Sequence, residues 1–96
     1  MDTYEAVETL EWDEDATEED AIRALQSLIN EGTWGLQGSY GRAMMDAIEG
    51  GVCALGKQGC RDYWGNYIPS RDEVEPGTKG SVQFVQEHSP YGEVLE

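Results

Sequence analysis

The sequence predicts a small, all-α domain built on a helical hairpin, with an irregular, aromatic-rich C-terminal segment. Its 96 residues are enough for one hydrophobic core. Apolar residues recur at helical spacing in two long segments, and no convincing strand exceeds about three residues. We expect an acidic N-terminal segment at residues 1–16, a helical core at 17–55 and an irregular wrap at 56–96.

A short first helix is predicted over Thr3–Leu10. Tyr4, Ala6, Val7 and Leu10 follow helical spacing, whereas a strand would place Glu8 on the apolar face. The acidic residues that follow, 13–15, predict a break in the helix.

The second helix has clear start and stop signals. Thr17 and Asp20 have the spacing of a capping box, in an Asp variant. Glu18 and Glu19 also lie in the first turn, where the helix dipole favours negative charge. Gly32 supplies the left-handed residue that commonly ends a helix.

A third helix is predicted from Ser39 to about Leu55, continuing through Gly50 and Gly51. Each of these glycines costs roughly 1 kcal/mol relative to Ala, so we expect packing to offset the loss. Trp34, in the preceding connection, is expected to fill the core. The remaining predicted core residues are Ile22, Leu25, Leu28, Ile29, Met44, Ile48, Val52 and Leu55.

The region after Gly56 is rich in Gly, Pro and aromatic residues. Gly65 and Asn66 suit a tight turn between short strands, but an ordered loop is preferred because so few residues lie on each side. Ser70 and Glu73 have the spacing to open one helical turn, and Ser81 to cap a last helix through Glu87. Residues 90–96 are expected to fray.

Net charge restricts the partners of this chain. The formal charge is -14, and residues 2–20 contain ten acids and no base. We expect no binding to DNA, RNA or anionic membranes, but a partner with a basic surface. Glu11, Asp13, Glu14 and Asp15 are therefore candidate partner-binding residues; the alternative is a solvated helix face. The acidic start and the lack of a long apolar run predict a cytosolic protein.

Few residues suit catalysis or metal binding. His88 is the only histidine, and Cys53 and Cys60 are seven positions apart, a spacing that matches neither a zinc nor a redox motif. We expect free thiols, no catalytic residues, no metal and no cofactor, and therefore not an enzyme.

The segment Gly77–Ser81 has the composition of an anion-binding loop, with Lys79 and Ser81 as candidate ligands. It lacks the order of residues of a P-loop. The alternative is an ordinary Gly-rich turn.

Residues 61–71, RDYWGNYIPSR, are the most distinctive stretch. Tyr, Trp and Arg are the residue types that dominate binding hot spots, so Tyr63, Trp64, Tyr67 and Arg71 are candidate partner-binding residues. The same residues would also suit a clamp on the helices, and Trp64 is expected to complete the core.

Four stretches resemble small uncharacterised accessory proteins of phages that infect mycobacteria and related actinobacteria: DEDATEEDAIRALQSL, GSYGRAMMDAIEGG, RDYWGNYIPSR and PGTKGS. The resemblance covers most of residues 13–85. It implies a non-structural protein in the cytoplasm of the infected host, and it assigns no residue a role.

The resemblance and the charge together predict a non-enzymatic protein that binds and modulates a host protein, with acidic nucleic-acid mimicry as one route. One alternative is a structural or self-associating protein, such as a homodimer, without a host target. The other is a small phosphate-binding domain that uses Lys79 and Ser81.

Overall fold

The computed structural model describes residues 2–35 and 38–91. The fold is mostly helical, and its described part includes a two-stranded sheet. In chain order the elements are α1 (Thr3–Glu11), α2 (Glu18–Asn30), α3 (Gly38–Glu49), β1 (Cys60–Arg61), β2 (Tyr67–Ile68) and α4 (Val82–His88). No helix within the described residues is long and apolar enough to cross a membrane.

Local sequence signals set the ends of α1 and α2. Asp2 caps α1 by accepting a hydrogen bond from the Glu5 amide at 2.8 Å. Thr17 and Asp20 form the predicted capping box, with hydrogen bonds of 3.0 and 3.1 Å. At the other end of α2, Gly32 has a φ of 72° and closes a Schellman-type turn.

The prediction that α3 continues to Leu55 is wrong, because the helix ends at Glu49. Gly51 has a φ of 77°, and the Val52 amide donates to the Ala47 carbonyl at 3.0 Å. This is the Schellman-type ending that Gly32 gives α2. The chain then runs through a buried segment, Cys53–Gly56.

The core lies where α2 contacts α1 and α3. Seven of the eight residues predicted from the helical pattern are buried, and Val52 is partly buried against them. Trp34 is 3% exposed, as predicted, whereas Trp64 is 70% exposed. The prediction that Trp64 completes the core is therefore wrong; Trp34 and Ile68 occupy the core instead.

The buried Gln26 side chain joins α2 to the segment after α3. Its amide oxygen accepts from the Ala54 amide at 2.8 Å, and its amide nitrogen donates to the Ala54 carbonyl at 3.0 Å. Both backbone polar groups of a buried residue are thereby satisfied.

The C-terminal region contains more regular structure than an ordered loop. β1 and β2 pair antiparallel, with Cys60 opposite Ile68 and Arg61 opposite Tyr67. The predicted helical turn after Ser70 is a hydrogen-bonded turn instead, while Ser81 does cap a last helix. Fraying is predicted for residues 90–96, but Tyr91 packs partly buried against the core. Residues 92–96 lie outside the described residues.

Candidate partner-binding surface

The loop between β1 and β2, residues 62–66, presents two neighbouring aromatic side chains to solvent. Tyr63 is 68% exposed and Trp64 is 70% exposed. Their ring centroids lie 5.2 Å apart at an interplanar angle of 74°, an edge-to-face arrangement. We call Tyr63 and Trp64 the aromatic tip.

Asp62 organises the loop that carries the aromatic tip. One of its carboxylate oxygens, Oδ1, accepts from the amides of Trp64 at 2.9 Å and of Asn66 at 2.8 Å. The backbone bond from the Asp62 amide to the Asn66 carbonyl, at 3.0 Å, closes the loop. Gly65 adopts a φ of 83° within it, a conformation that favours glycine. The loop backbone is therefore held by its own hydrogen bonds.

A groove lies between the aromatic tip and α3. Its volume is about 290 Å³, and its apolar lining comes from Trp34, Met45 and Ile68 together with the tip. Arg42 and Asp46 of α3 line the same groove, so charged groups flank its apolar surface. The groove combines an apolar lining with a few polar groups, as small binding sites commonly do.

Tyr67, a predicted partner-binding residue, is half exposed but engaged in the fold. Its hydroxyl donates to the Glu73 carboxylate, 2.7 and 2.8 Å from the two oxygens. This hydrogen bond is the main reason that the pKa of Tyr67 is raised. The Ser70 amide also donates to Glu73, at 2.7 Å, and is the largest cause of the lowered pKa of that carboxyl group. We therefore conclude that Tyr67 helps to hold the β1–β2 hairpin, which carries the tip, against the following segment of the chain.

Arg71, another predicted partner-binding residue, is also bound within the fold. Its guanidinium donates to the Leu55 carbonyl at 2.9 Å and to the Asn30 side-chain oxygen at 3.0 Å. Burial lowers the pKa of Arg71. Because these bonds join α2 to the C-terminal region, Arg71 also helps to hold the fold together.

The four predicted acidic residues lie at and after the end of α1, and all are exposed. Glu11 accepts a hydrogen bond from the Tyr40 hydroxyl, which raises the pKa of Tyr40 to about 12. Asp13 accepts from the Asp15 amide at 3.0 Å. Asp13, Glu14 and Asp15 thus form an exposed acidic turn, while Glu11 also fastens α1 to α3.

The predicted anion-binding residues have partners inside the protein. The Lys79 ammonium pairs with Glu49 at 3.0 Å. The Ser81 hydroxyl accepts from the Gly77 and Phe84 amides and donates to the Thr78 carbonyl. Lys79 therefore links the turn before α4 to α3, and Ser81 stabilises that turn and caps α4.

Neither of the two cysteines nor His88 lines the groove. Both thiols are free, and burial raises the pKa of Cys53 to about 12, so this thiol is protonated at neutral pH. His88 stacks on Phe84, with ring centroids 3.9 Å apart. Residues 2–35 and 38–91 contain no group of three or more His, Cys, Asp or Glu placed to hold a metal ion.

Sequence reasoning missed several residues at the surface. Tyr4 and Trp12 are 77% and 76% exposed, yet neither was predicted as a contact residue. The groove residues Arg42, Met45 and Asp46 carry no local signal, because they join the tip only in three dimensions. Asp62 was detectable, since Asp before a Gly-containing turn commonly bonds to the backbone two residues on.

No family model, curated protein or solved structure shows a significant match to this chain.

Proposed function

We propose that this chain is a non-enzymatic accessory protein of an actinobacterial phage that binds and modulates a host protein. The observation that carries the binding proposal is the aromatic tip, held by Asp62 beside an apolar groove. The phage origin, and with it the host cytoplasm as location, is supported by the sequence resemblance alone.

The geometry of the tip favours a protein partner. Trp and Tyr are common at binding hot spots, because a large rigid ring buries much area and loses little conformational entropy. The hydrogen bonds of Asp62 order the loop backbone before any partner arrives, which lowers the entropic cost of binding further.

The charge indicates a partner with a basic surface. The chain carries a formal charge of -14, and half of its acids lie in residues 2–20. Charges outside a contact raise the association rate but are screened beyond about 8 to 10 Å at physiological salt. The acidic turn at Asp13, Glu14 and Asp15 therefore steers approach, and the aromatic tip provides the short-range contact. Mimicry of nucleic-acid phosphates is one form that this recognition takes.

We also propose that α2 and α3 act as a helical hairpin on which the aromatic C-terminal region is mounted. Two side chains support this proposal, because each joins α2 to the chain after α3. Gln26 of α2 bonds to the Ala54 backbone, and Arg71 bonds to the Asn30 side chain of α2 and to the Leu55 carbonyl. The tip is then held by the rigid part of the fold.

The alternatives have less support. Lys79 pairs with Glu49, so the anion-binding alternative requires that ion pair to break. A homodimer would bring two strongly negative chains together, which opposes self-association at low salt.

Kinetic measurements on a partner captured from host lysate test the proposal. Trp64→Ala should speed dissociation and leave the salt dependence unchanged, because a desolvated anchor acts mainly on dissociation. Replacing Glu11, Asp13, Glu14 and Asp15 with Gln or Asn should slow association and flatten its salt dependence.

The matched control replaces an equal number of exposed acids elsewhere: Glu31, Asp72, Glu75 and Glu87. We expect it to slow association less than the N-terminal variant does. If the two variants behave alike, net charge and not the acidic segment steers binding. A captured protein whose dissociation is indifferent to Trp64 would contradict the role of the tip.

A further inference from the structure

The outward face of α1 and its C-terminal cap carry a second pair of exposed aromatic side chains, separate from the aromatic tip. Tyr4 and Trp12 are 77% and 76% exposed. They lie two helical turns apart, with Glu8 between them on the same side. A shallow cleft of about 290 Å³ is lined by Tyr4, Val7, Glu8 and Trp12.

The opposite face of α1 fixes this arrangement in place. Ala6 is fully buried, and Val7 and Leu10 pack against the core. Glu11 accepts a hydrogen bond from Tyr40 of α3, and the Trp12 amide donates to the Glu8 carbonyl at 2.8 Å. The backbone that presents Tyr4 and Trp12 is therefore anchored, and their exposure follows from the packing of the whole helix.

The charges around Trp12 define which partner fits. A second cleft, of about 420 Å³, lies on the acidic side of Trp12 and is lined by Glu5, Glu8, Thr9 and Asp13. No Lys or Arg lines either cleft among the described residues. A cation over the face of an indole is attracted to the ring, and Trp gives the strongest such interaction of the aromatic residues.

We infer that Tyr4, Glu8 and Trp12 form a docking site for a Lys- or Arg-bearing segment of a protein partner. A basic side chain lies over the Trp12 ring, with its charge between Glu8 and Asp13 and its methylene stem against Val7 and Tyr4. Long basic side chains can bury their stems on apolar surface while their heads remain charged and solvated. A second copy of this chain is the poorer occupant, because it carries a formal charge of -14 with only six Lys and Arg residues, and two such chains repel each other.

This inference deepens the proposed function and rests on it for its biological meaning. In the proposed function the acidic segment acts only at long range, whereas in this inference α1 contacts the partner directly. The two are separable because the contact is testable with a peptide, without any host partner.

The probe is a short capped peptide of alternating Arg and Ala, and its control has citrulline in place of Arg. The readout is the indole N–H resonance of each of the three tryptophans, Trp12, Trp34 and Trp64, assigned with single Trp→Phe variants. We expect the Arg peptide to shift the Trp12 resonance and to leave those of Trp34 and Trp64 in place. The citrulline peptide should shift none of them.

Two substitutions measure the contribution of the ring. Trp12→Ala should weaken binding of the Arg peptide about fivefold, and Trp64→Ala should leave it unchanged. Trp12→Leu keeps an apolar side chain without a π face, and we expect it to weaken binding nearly as much as Trp12→Ala.

Three further results would overturn the inference, besides a failure of the Arg peptide to shift the Trp12 resonance. One is equal affinity in Trp12→Ala and the unmodified chain, which would leave only diffuse attraction to acids. Another is full binding by Trp12→Leu. The third is a Trp12 resonance that moves with protein concentration in the absence of peptide, which would show a second copy on this face. If the peptide fails but capture of a host protein still depends on Trp64, only this inference falls.

Discussion

Gly51 determines where α3 ends. Its φ of 77° is a conformation that side-chain-bearing residues rarely adopt. A Cβ atom built there would lie 2.8 Å from a ring carbon of Phe84 and 3.0 Å from the His88 Cβ atom. The residue is therefore constrained both by its backbone and by the close approach of α4.

We predict that Gly51→Ala lowers the free energy of unfolding by about 1 to 2 kcal/mol or more, because the left-handed conformation and the contact with Phe84 both oppose a side chain. Gly41→Ala is the matched control. Gly41 lies inside α3, and apart from the neighbouring backbone of the helix itself no atom lies within 4 Å of an added Cβ, so its replacement should stabilise by up to about 1 kcal/mol. Urea unfolding of both variants measures the difference. Equal effects would mean that Gly51 is not constrained as the structure shows.

At the scale of elements, the β1–β2 hairpin is too short to be stable by itself. Each strand has only two residues, and an isolated hairpin is marginal in water even when longer. Ile68 is buried in the core, and the Tyr67 hydroxyl is bonded to Glu73. The hairpin is therefore stabilised by its contacts with the core and with Glu73, and the geometry of its loop depends on Asp62.

Asp62→Ala should loosen the aromatic tip with little effect on the global fold, because it removes the acceptor for two loop amides. We expect larger-amplitude backbone motion at Tyr63 and Trp64 in ¹⁵N relaxation, with an almost unchanged melting temperature. Asp62→Asn is the control, since its side-chain oxygen still accepts from both amides. A tip that is equally ordered in both variants would show that Asp62 does not hold the loop.

At the scale of the whole molecule, the two groove tryptophans, Trp34 and Trp64, differ in how far they are exposed. Trp34 lies at the apolar wall of the groove, 3% exposed, and Trp64 stands 70% exposed at its rim. Large aromatic residues in a core contribute far more to stability than exposed ones do. We therefore expect Trp34 to contribute to stability and Trp64 to the proposed binding.

Trp34→Ala should therefore lower the free energy of unfolding by about 3 to 5 kcal/mol, enough to threaten so small a domain. Trp64→Ala should change it by less than about 0.5 kcal/mol, as is usual for exposed sites. Thermal melts followed by circular dichroism compare the two. A large loss of stability in Trp64→Ala would show that the tip is structural, and would contradict its proposed role in binding.

The sequence alone determined the features that depend on near neighbours along the chain. The capping box of Thr17 and Asp20, the end of α2 at Gly32 and the cap of α4 at Ser81 each involve residues a few positions apart. The apolar spacing in α2 and α3 likewise predicted the core residues of these helices, and the connection between them predicted Trp34.

Only the tertiary structure decided what depends on residues distant in sequence. The apolar spacing continues past Gly51, so periodicity favoured a longer helix. In the structure the chain turns at Gly51, and α4 packs against this glycine. Tyr67 and Arg71 are predicted as partner-binding residues from their residue types, and only the tertiary structure shows that they also bind Glu73, Leu55 and Asn30. Trp64 and Trp34 are chemically equivalent in the sequence, and which of them is buried depends on how the hairpin, α2 and α3 come together. Burial and exposure are properties of the assembled chain, so an amino-acid pattern can indicate a binding surface but not which of its side chains face the solvent.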